Sequence, residues 1–249
     1  MSHLIRAEWI KLRTVTSHWI LAAIGIAFTP IVVVLTAIFV KESDVDARMP
    51  TEVTVGTTIV MALLFGTIGV LSFAQEHAHG TIRVTYAAEP RRVRVLVAKA
   101  VVLAVTAAVL SAVTVVVTYV AAIVILDGRT DADLGGQEAH RSALFGAVML
   151  CVLLTLLGYA IGLLFRNAPA AIAIFVLWPL LAESLIGGLL VLVFGDGAVR
   201  WLPYSSGFQM IAVESDSDLF GPVAGGLYFA VWVFALLVAG IALNTRRDT

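Results

Sequence analysis

Residues 75–99 read QEHAHGTIRVTYAAEPRRVRVLVAK and form a polar, basic interruption in the apolar first half of the chain. Long uncharged apolar runs flank this stretch, over residues 53–75 and 100–126. A basic segment between two such runs is typical of a cytoplasmic loop between membrane spans. Thr81 is suited to start a helix, and Pro90 ends one at Glu89. We therefore predict a short helix over about 80–89, lying at the inner membrane surface.

The composition identifies the class of protein. Of 249 residues, 60% are hydrophobic and 13% are charged, and the mean hydropathy is +1.00. Soluble domains carry about 25% charged residues, so a chain this apolar cannot cover a soluble surface. We predict an integral membrane protein. Its single cysteine, Cys151, excludes an internal disulfide and a cysteine metal site.

The apolar runs predict an all-α membrane domain over residues 1–249, because about 20 apolar residues suffice to span a bilayer. Six transmembrane helices are expected, at about 19–40, 53–75, 100–126, 142–165, 168–186 and 221–243. The apolar run from 184 to 195 is too short to cross and is rich in glycine. We expect it to dip into the outer leaflet and return, as a re-entrant segment before the last span. A polar external loop should then cover residues 196–218.

The first 18 residues have the pattern of an interfacial helix. Bulky apolar side chains alternate with charges at helical spacing, and the polar positions include Glu8 and Lys11. Trp9 favours the lipid headgroup level. We predict an amphipathic helix on the inner leaflet, and the alternative is a plain cytoplasmic tail.

The distribution of basic residues sets the orientation. With six spans and a cytoplasmic N-terminus, 11 of the 16 Lys and Arg residues lie inside and five lie outside. The inner residues are Arg6, Lys11, Arg13, Arg83, Arg91, Arg92, Arg94, Lys99, Arg166, Arg246 and Arg247. Because inner loops are enriched in Lys and Arg, we predict a multi-pass protein of the plasma membrane with both termini in the cytoplasm.

Few residues suggest catalysis or metal binding. The sequence has no GxxxxGK[ST] phosphate loop and no HExxH motif, and His77 and His79 are too close for a helical zinc pair. Glu183 is the one charged residue inside a predicted span. It is either an acid that reaches the membrane interface or a candidate lining residue of a substrate path. We expect no cofactor or metal in this chain and no nucleic-acid partner.

The pattern E-x₃-G-T-I-R-x₆-P-x-R, followed by Lys99, is similar to the segment after the second span of ABC-2 type transporter permeases. Its members here are Glu76, Gly80, Thr81, Arg83, Pro90, Arg91 and Arg92. The opening AEWIKLRT, residues 7–14, resembles the amphipathic start of the same family, and the six-span layout is also similar.

The resemblance implies the membrane subunit of an ATP-driven exporter. In that family two such chains pair, as a homodimer or with a close relative, and separate ATPase subunits dock beneath them. The resemblance assigns the seven residues of the 76–92 pattern to a coupling helix, and it assigns ATP and Mg²⁺ to the ATPase partner. The apolar spans suit a lipid-like, drug-like or other amphipathic cargo. Two other hypotheses are a polytopic enzyme acting on a lipid and a membrane anchor or sensor that does not transport.

Overall fold

The computed structural model describes residues 1–42, 45–127, 138–213 and 219–246. Within these ranges the regular structure is helical and contains no strand. The α-helices are α1 (Ser2–Thr14), α2 (Thr16–Phe39), α3 (Met49–Ala78), α4 (Thr81–Ala88), α5 (Arg92–Leu126), α6 (Glu138–Phe165), α7 (Ala168–Leu177), α8 (Glu183–Phe194), α9 (Pro203–Phe208) and α10 (Pro222–Arg246). A π-helical turn, Trp178–Ala182, joins α7 to α8, and two 3₁₀ turns, Asp196–Trp201 and Gln209–Ile211, flank α9.

The prediction of an all-helical protein with six membrane-length segments is confirmed. Among the described residues, six helical segments are long and apolar enough to cross a membrane. They are Thr16–Phe39, Met49–Ala78, Arg92–Leu126, Arg141–Phe165, Ala168–Phe194 and Pro222–Arg246. Several extend past the apolar runs into the polar residues that flank them. The 35 residues of α5 reach about 50 Å, well beyond a hydrocarbon core of about 30 Å.

Helices α3 and α6 form the centre of the bundle. In their apolar windows, 67% and 72% of residues are buried. Glycines allow this close approach: a Cβ added to Gly158 would lie 1.9 Å from the Gly66 carbonyl oxygen, and one added to Gly69 would lie 2.1 Å from the Thr155 carbonyl oxygen. Small residues at a helix contact let the backbones pack directly, which is a common way of associating helices in a membrane.

The fifth segment runs further than we predicted. It continues as helix to Phe194 instead of ending near Ile186, so residues 187–194 belong to α8 and do not turn back. Glycine within a helix costs only about 1 kcal/mol, so Gly187 and Gly188 do not stop it. The π-helical turn accommodates Pro179, which lacks a backbone N–H. The chain turns at Gly195, where φ is +85°.

The segment that folds back lies after Gly195. Tyr204, Ser206 and Gly207 of α9 are buried, and the next turn packs Met210 and Ile211 among the long helices. Glycine again permits the contact, since a Cβ at Gly207 would lie 2.7 Å from the ring of Phe229 on α10. Entry of this segment into the bilayer stays a prediction. Residues 214–218 of the expected external loop, and also Arg129 and Arg247, lie outside the described residues.

Candidate functional site

Helix α4 protrudes between the end of α3 and the start of α5. Gly80 makes the bend at its N-terminal end with φ of +69°, a left-handed conformation that favours glycine. After Ala88 the backbone becomes extended at Glu89, directly before Pro90. The predicted Thr81 cap is wrong, because Gly80 holds the N-cap position and the Thr81 hydroxyl donates to the Glu76 carbonyl oxygen at 3.2 Å.

Four charged side chains meet where α1, α3 and α5 converge. We call Glu8, Lys11, Glu76 and Lys99 the charge cluster. Lys99 Nζ lies 2.5 Å from Glu8 Oε2 and 2.9 Å from Glu76 Oε1. Lys11 Nζ lies 2.8 Å from Glu8 Oε1 and 3.4 Å from Glu76 Oε1. Two carboxylates and two ammonium groups therefore balance each other between helices that are far apart in sequence.

The charge cluster is mostly excluded from water. The side chains of Glu8 and Lys99 are 3% and 5% exposed, and that of Glu76 is 16% exposed. Removing one partner of a buried ion pair costs about 3–5 kcal/mol, because the remaining charge is left uncompensated. The arrangement therefore fixes the relative position of α1, α3 and α5 strongly.

Lys11 also joins α4 to the charge cluster. Its Nζ donates to the Thr85 hydroxyl of α4 at 3.0 Å, in addition to Glu8. Partial burial opposes the charge of Lys11, but the Glu8 and Glu76 carboxylates outweigh it and raise the pKa of Lys11 above 10.5. The ammonium thus stays charged at neutral pH and holds α4 to α1.

The basic residues of the predicted coupling segment lie elsewhere on α4 and its flanks. Arg92 stacks on Tyr86, with 5.1 Å from the guanidinium carbon to the ring centroid. Arg83 and Arg92 line a cavity of about 510 Å³ next to α4. Arg91 is exposed, and its backbone N–H donates to Glu89 Oε1 at 3.2 Å. These arginines are not part of the charge cluster.

The structure thus combines two sets of residues that sequence reasoning kept apart. Glu8 and Lys11 were assigned to an interfacial helix and Glu76 to the coupling segment, yet they share one cluster. Their neighbour Trp9 is 39% exposed and does not take part. Sequence reasoning did not assign Thr85 to a site, and it used Lys99 only as an inner basic residue and as part of a motif. The one local signal was the spacing of Glu8 and Lys11, which are three apart and so share a helix face.

Glu183 lies away from the charge cluster and has a different role. Its side chain is not an exposed interfacial acid, since the residue is 3% exposed. Its Oε1 accepts a hydrogen bond of 2.7 Å from the Ser205 backbone N–H in the first turn of α9. We call this contact the Glu183 cap, because it satisfies one of the free N–H groups at a helix start. A role in a substrate path stays a prediction.

Next to the Glu183 cap, Tyr204 is also buried. Burial, and then the charge of Glu183, raise the pKa of Tyr204 well above 10.0. The hydroxyl therefore remains protonated and donates to the Phe175 carbonyl oxygen at 3.4 Å. Together these contacts attach α9 to α7 and α8.

The chain is similar to a known protein family. The model of a family described as ABC-2 family transporter protein matches residues 4–194. This range includes α1, the charge cluster, α4 and the fifth membrane-length segment. No curated protein sequence matches the chain at a significant level.

Proposed function

The chain belongs to the ABC-2 family of transporter proteins, and from this membership we propose that it is the permease subunit of an ATP-driven exporter. A separate ATPase subunit supplies the energy and binds ATP and Mg²⁺. Two copies of this chain, or this chain and a close relative, form the membrane part. The cargo is lipid-like, drug-like or another amphipathic molecule, and it moves outward across the plasma membrane.

The observation that carries the proposal is the connection of α4 to three other helices. Helix α4 is attached to α1 through Lys11 and Thr85, and the same lysine belongs to the cluster that joins α3 to α5. A partner that pushes on α4 therefore acts on α1, α3 and α5 together. An ATPase can bias a membrane domain only through contacts that differ between its two states, and a rigid protruding helix provides such a contact.

The apolar surface supports pairing of two chains. Only 11% of the apolar window of the fifth segment, Ala168–Phe194, is buried within the chain. Large exposed side chains such as Leu185, Leu189 and Leu192 leave it free to meet lipid or a second copy. A two-fold axis between subunits would create a path that one six-span bundle is too small to enclose.

The proposal is tested by a substitution that disfavours the backbone bend orienting α4. No atom lies within 4 Å of a Cβ added at Gly80, so Gly80→Ala adds no clash and acts only on the left-handed backbone. Alanine in that conformation costs about 1–2 kcal/mol. We expect ATPase stimulation and transport by the reconstituted complex to fall about 5- to 30-fold, while membrane insertion is retained.

Gly56→Ala is the matched control. It lies on α3, also has no atom within 4 Å of an added Cβ, and has no positive φ. We expect it to leave ATPase turnover and transport unchanged. Normal docking, turnover and transport in Gly80→Ala would contradict a coupling role of α4. Failure of the chain to co-purify with any ATPase would contradict the permease proposal itself.

A further inference from the structure

A cavity of about 510 Å³ lies where α4 meets the end of α3 and the start of α5. The residues that line it come from all three helices and are His77, Ile82, Arg83, Tyr86, Ala87 and Arg92. Sites for small ligands measure about 300–1,000 Å³. The cavity is therefore large enough to hold a small polar group such as a lipid headgroup.

The lining of this cavity carries positive charge. It contains the guanidinium groups of Arg83 and Arg92, which are always charged in proteins, and none of the described residues that line it is acidic. The carboxylate of Glu76 is paired with lysine in the charge cluster. Glu89 lies outside the lining and accepts from the Arg91 backbone N–H. A ligand that matches the cavity must therefore be an anion.

The two arginines are placed differently in the lining. Arg83 is exposed, and among the described residues it forms no ion pair. Arg92 is half-buried, and its Nη1 and the Tyr86 hydroxyl lie below the accessible surface. We therefore assign the hydrogen bonds to a ligand to Arg83, and we assign to Arg92 a contribution of charge. Arginine suits phosphate in particular, because its planar group can donate two parallel N–H bonds.

The cavity lies at the level expected for lipid headgroups. His77 comes two residues after the apolar run of α3, which ends at residue 75. With a rise of 1.5 Å per residue, this places His77 about 3 Å beyond the run. The headgroup layer on each side of a bilayer is about 5 Å thick or more. Basic pockets at this level attract anionic lipid headgroups.

Ring contacts hold the charged side chains of the lining in place. His77 stacks on Phe73 with 6.2 Å between the ring centroids, and the Arg92 guanidinium stacks on Tyr86. Ile82 is 5% exposed and packs into the apolar core, so the cavity side of α4 is fixed as well. Because these groups are already ordered, little conformational entropy is lost when a ligand binds.

We propose that this cavity binds the phosphate of an anionic phospholipid of the phosphatidylglycerol class. Arg83 donates to the free phosphate oxygens, and Arg92 supplies the second positive charge. Phosphatidylcholine has the same phosphate, but its choline cancels the net charge. One basic residue near the surface favours an anionic lipid about fivefold, so two arginines should give a preference of about 25-fold.

This lipid site is independent of the proposed ATPase contact. Val84 does not line the cavity and is 73% exposed, so α4 keeps another face for a protein partner. The site can therefore be tested on the chain without an ATPase, and its failure would leave the permease proposal unaffected.

The test counts the ligands bound to the full-length chain by native mass spectrometry in detergent. Phosphatidylglycerol and phosphatidylcholine with identical acyl chains are titrated separately, and each bound molecule is identified by its mass. We expect the first phosphatidylglycerol to bind at about 25-fold lower concentration. Equal binding of the two lipids would overturn the proposal. Glycerophosphoglycerol, the same headgroup without acyl chains, is titrated third. If it binds as tightly as the lipid, the ligand is a soluble phosphate ester and the lipid assignment is overturned.

Variants locate the preference. Arg83→Gln and Arg92→Gln should each reduce it about fivefold, and the double variant should abolish it, with folding checked by circular dichroism. Arg13→Gln is the matched control, because it removes the same charge from an exposed arginine of α1. Full preference in a folded Arg83→Gln variant would refute the site assignment. An equal loss in Arg13→Gln and Arg83→Gln would mean that total charge selects the lipid, which also overturns the proposal.

Discussion

The charge cluster and the Glu183 cap both bury carboxylates beside membrane-length helices, but the carboxylates have different kinds of partner at the two sites. At the charge cluster, Glu8 and Glu76 are each paired with lysine side chains from other helices. At the cap, Glu183 has a backbone N–H of α9 as the hydrogen-bond partner of its Oε1. The first arrangement depends on charge, and the second depends on the position of one acceptor atom.

The two sites therefore differ in how many helices they connect. The charge cluster connects α1, α3 and α5, and the hydrogen bond from Lys11 to Thr85 links it to α4, the helix that we propose to contact the ATPase. A movement of any one of these helices changes the ion pairs of the others. The Glu183 cap connects only α8 to the short α9, so it fixes a local segment. We therefore expect charge-removing substitutions to matter at the cluster and to matter much less at the cap.

The largest expected effect is an all-or-none difference between the two ends of α3 in labelling by a thiol reagent that cannot cross the membrane. In a chain with Cys151→Ala, cysteine is introduced at Glu42, before α3, or at Ala78, its last residue; both positions are exposed. With both termini in the cytoplasm, a membrane-impermeant maleimide should label Glu42→Cys in intact cells. It should label Ala78→Cys only after permeabilisation. Labelling of Ala78→Cys in intact cells would put the charge cluster on the outer side and refute the layout.

The next largest effect should come from Lys99→Met. This substitution leaves Glu8 and Glu76 with Lys11 as their remaining cationic partner among the described residues, so we expect a loss of about 3–5 kcal/mol in the free energy of unfolding. Chemical unfolding in mixed micelles measures it. Lys41→Met, at an exposed lysine after α2, should change the unfolding midpoint little. The double variant Lys99→Met with Glu8→Gln should recover part of the loss, and no recovery would argue against a charge-based cluster.

A smaller effect is expected at the cap. Glu183→Ala leaves the Ser205 N–H without its acceptor, which should cost about 1–3 kcal/mol and speed hydrogen exchange in α9. Glu183→Gln keeps a carbonyl oxygen and should stay close to the unmutated chain. Hydrogen exchange followed by mass spectrometry measures both, with Glu52→Ala as the control. Equal acceleration by Gln and Ala would mean that the charge itself is needed, and the contrast with the cluster would disappear.

Much of the fold could be predicted from local patterns. Six apolar runs of sufficient length predict six membrane-length helices, because hydrocarbon thickness sets the length that a span needs. The bend at Gly80 and the break at Pro90 were also predictable. Glycine allows backbone conformations that other residues rarely adopt, and proline fixes φ and lacks a backbone N–H. Asn167, directly before α7, is a residue type that favours helix N-caps, and its side chain accepts from the Ala170 N–H at 3.1 Å.

Other features depended on residues that are distant in sequence. The end of the fifth segment was predicted too early because the run from 184 to 195 is too short to cross by itself and its glycines weaken a helix, whereas the helix continues to Phe194. The cap at Thr81 was wrong because Gly80, in a left-handed conformation, takes the N-cap position and leaves Thr81 as the first residue of α4. In both places the local preference was about 1 kcal/mol, which is small enough for the surrounding packing to override.

The sequence by itself determined the membrane class, the helical architecture, the number of membrane-length segments and the position of the protruding helix. These follow from hydrophobic length and from backbone chemistry, which act within a few residues. Only the tertiary structure decided that Glu8 and Lys11 meet Glu76 and Lys99, that Glu183 binds the backbone of α9, and that His18 is buried beside the charge cluster. Side-chain contacts between helices depend on how the helices rotate and pack, and the glycines between α3 and α6 set that packing through contacts that no local pattern in the sequence reveals.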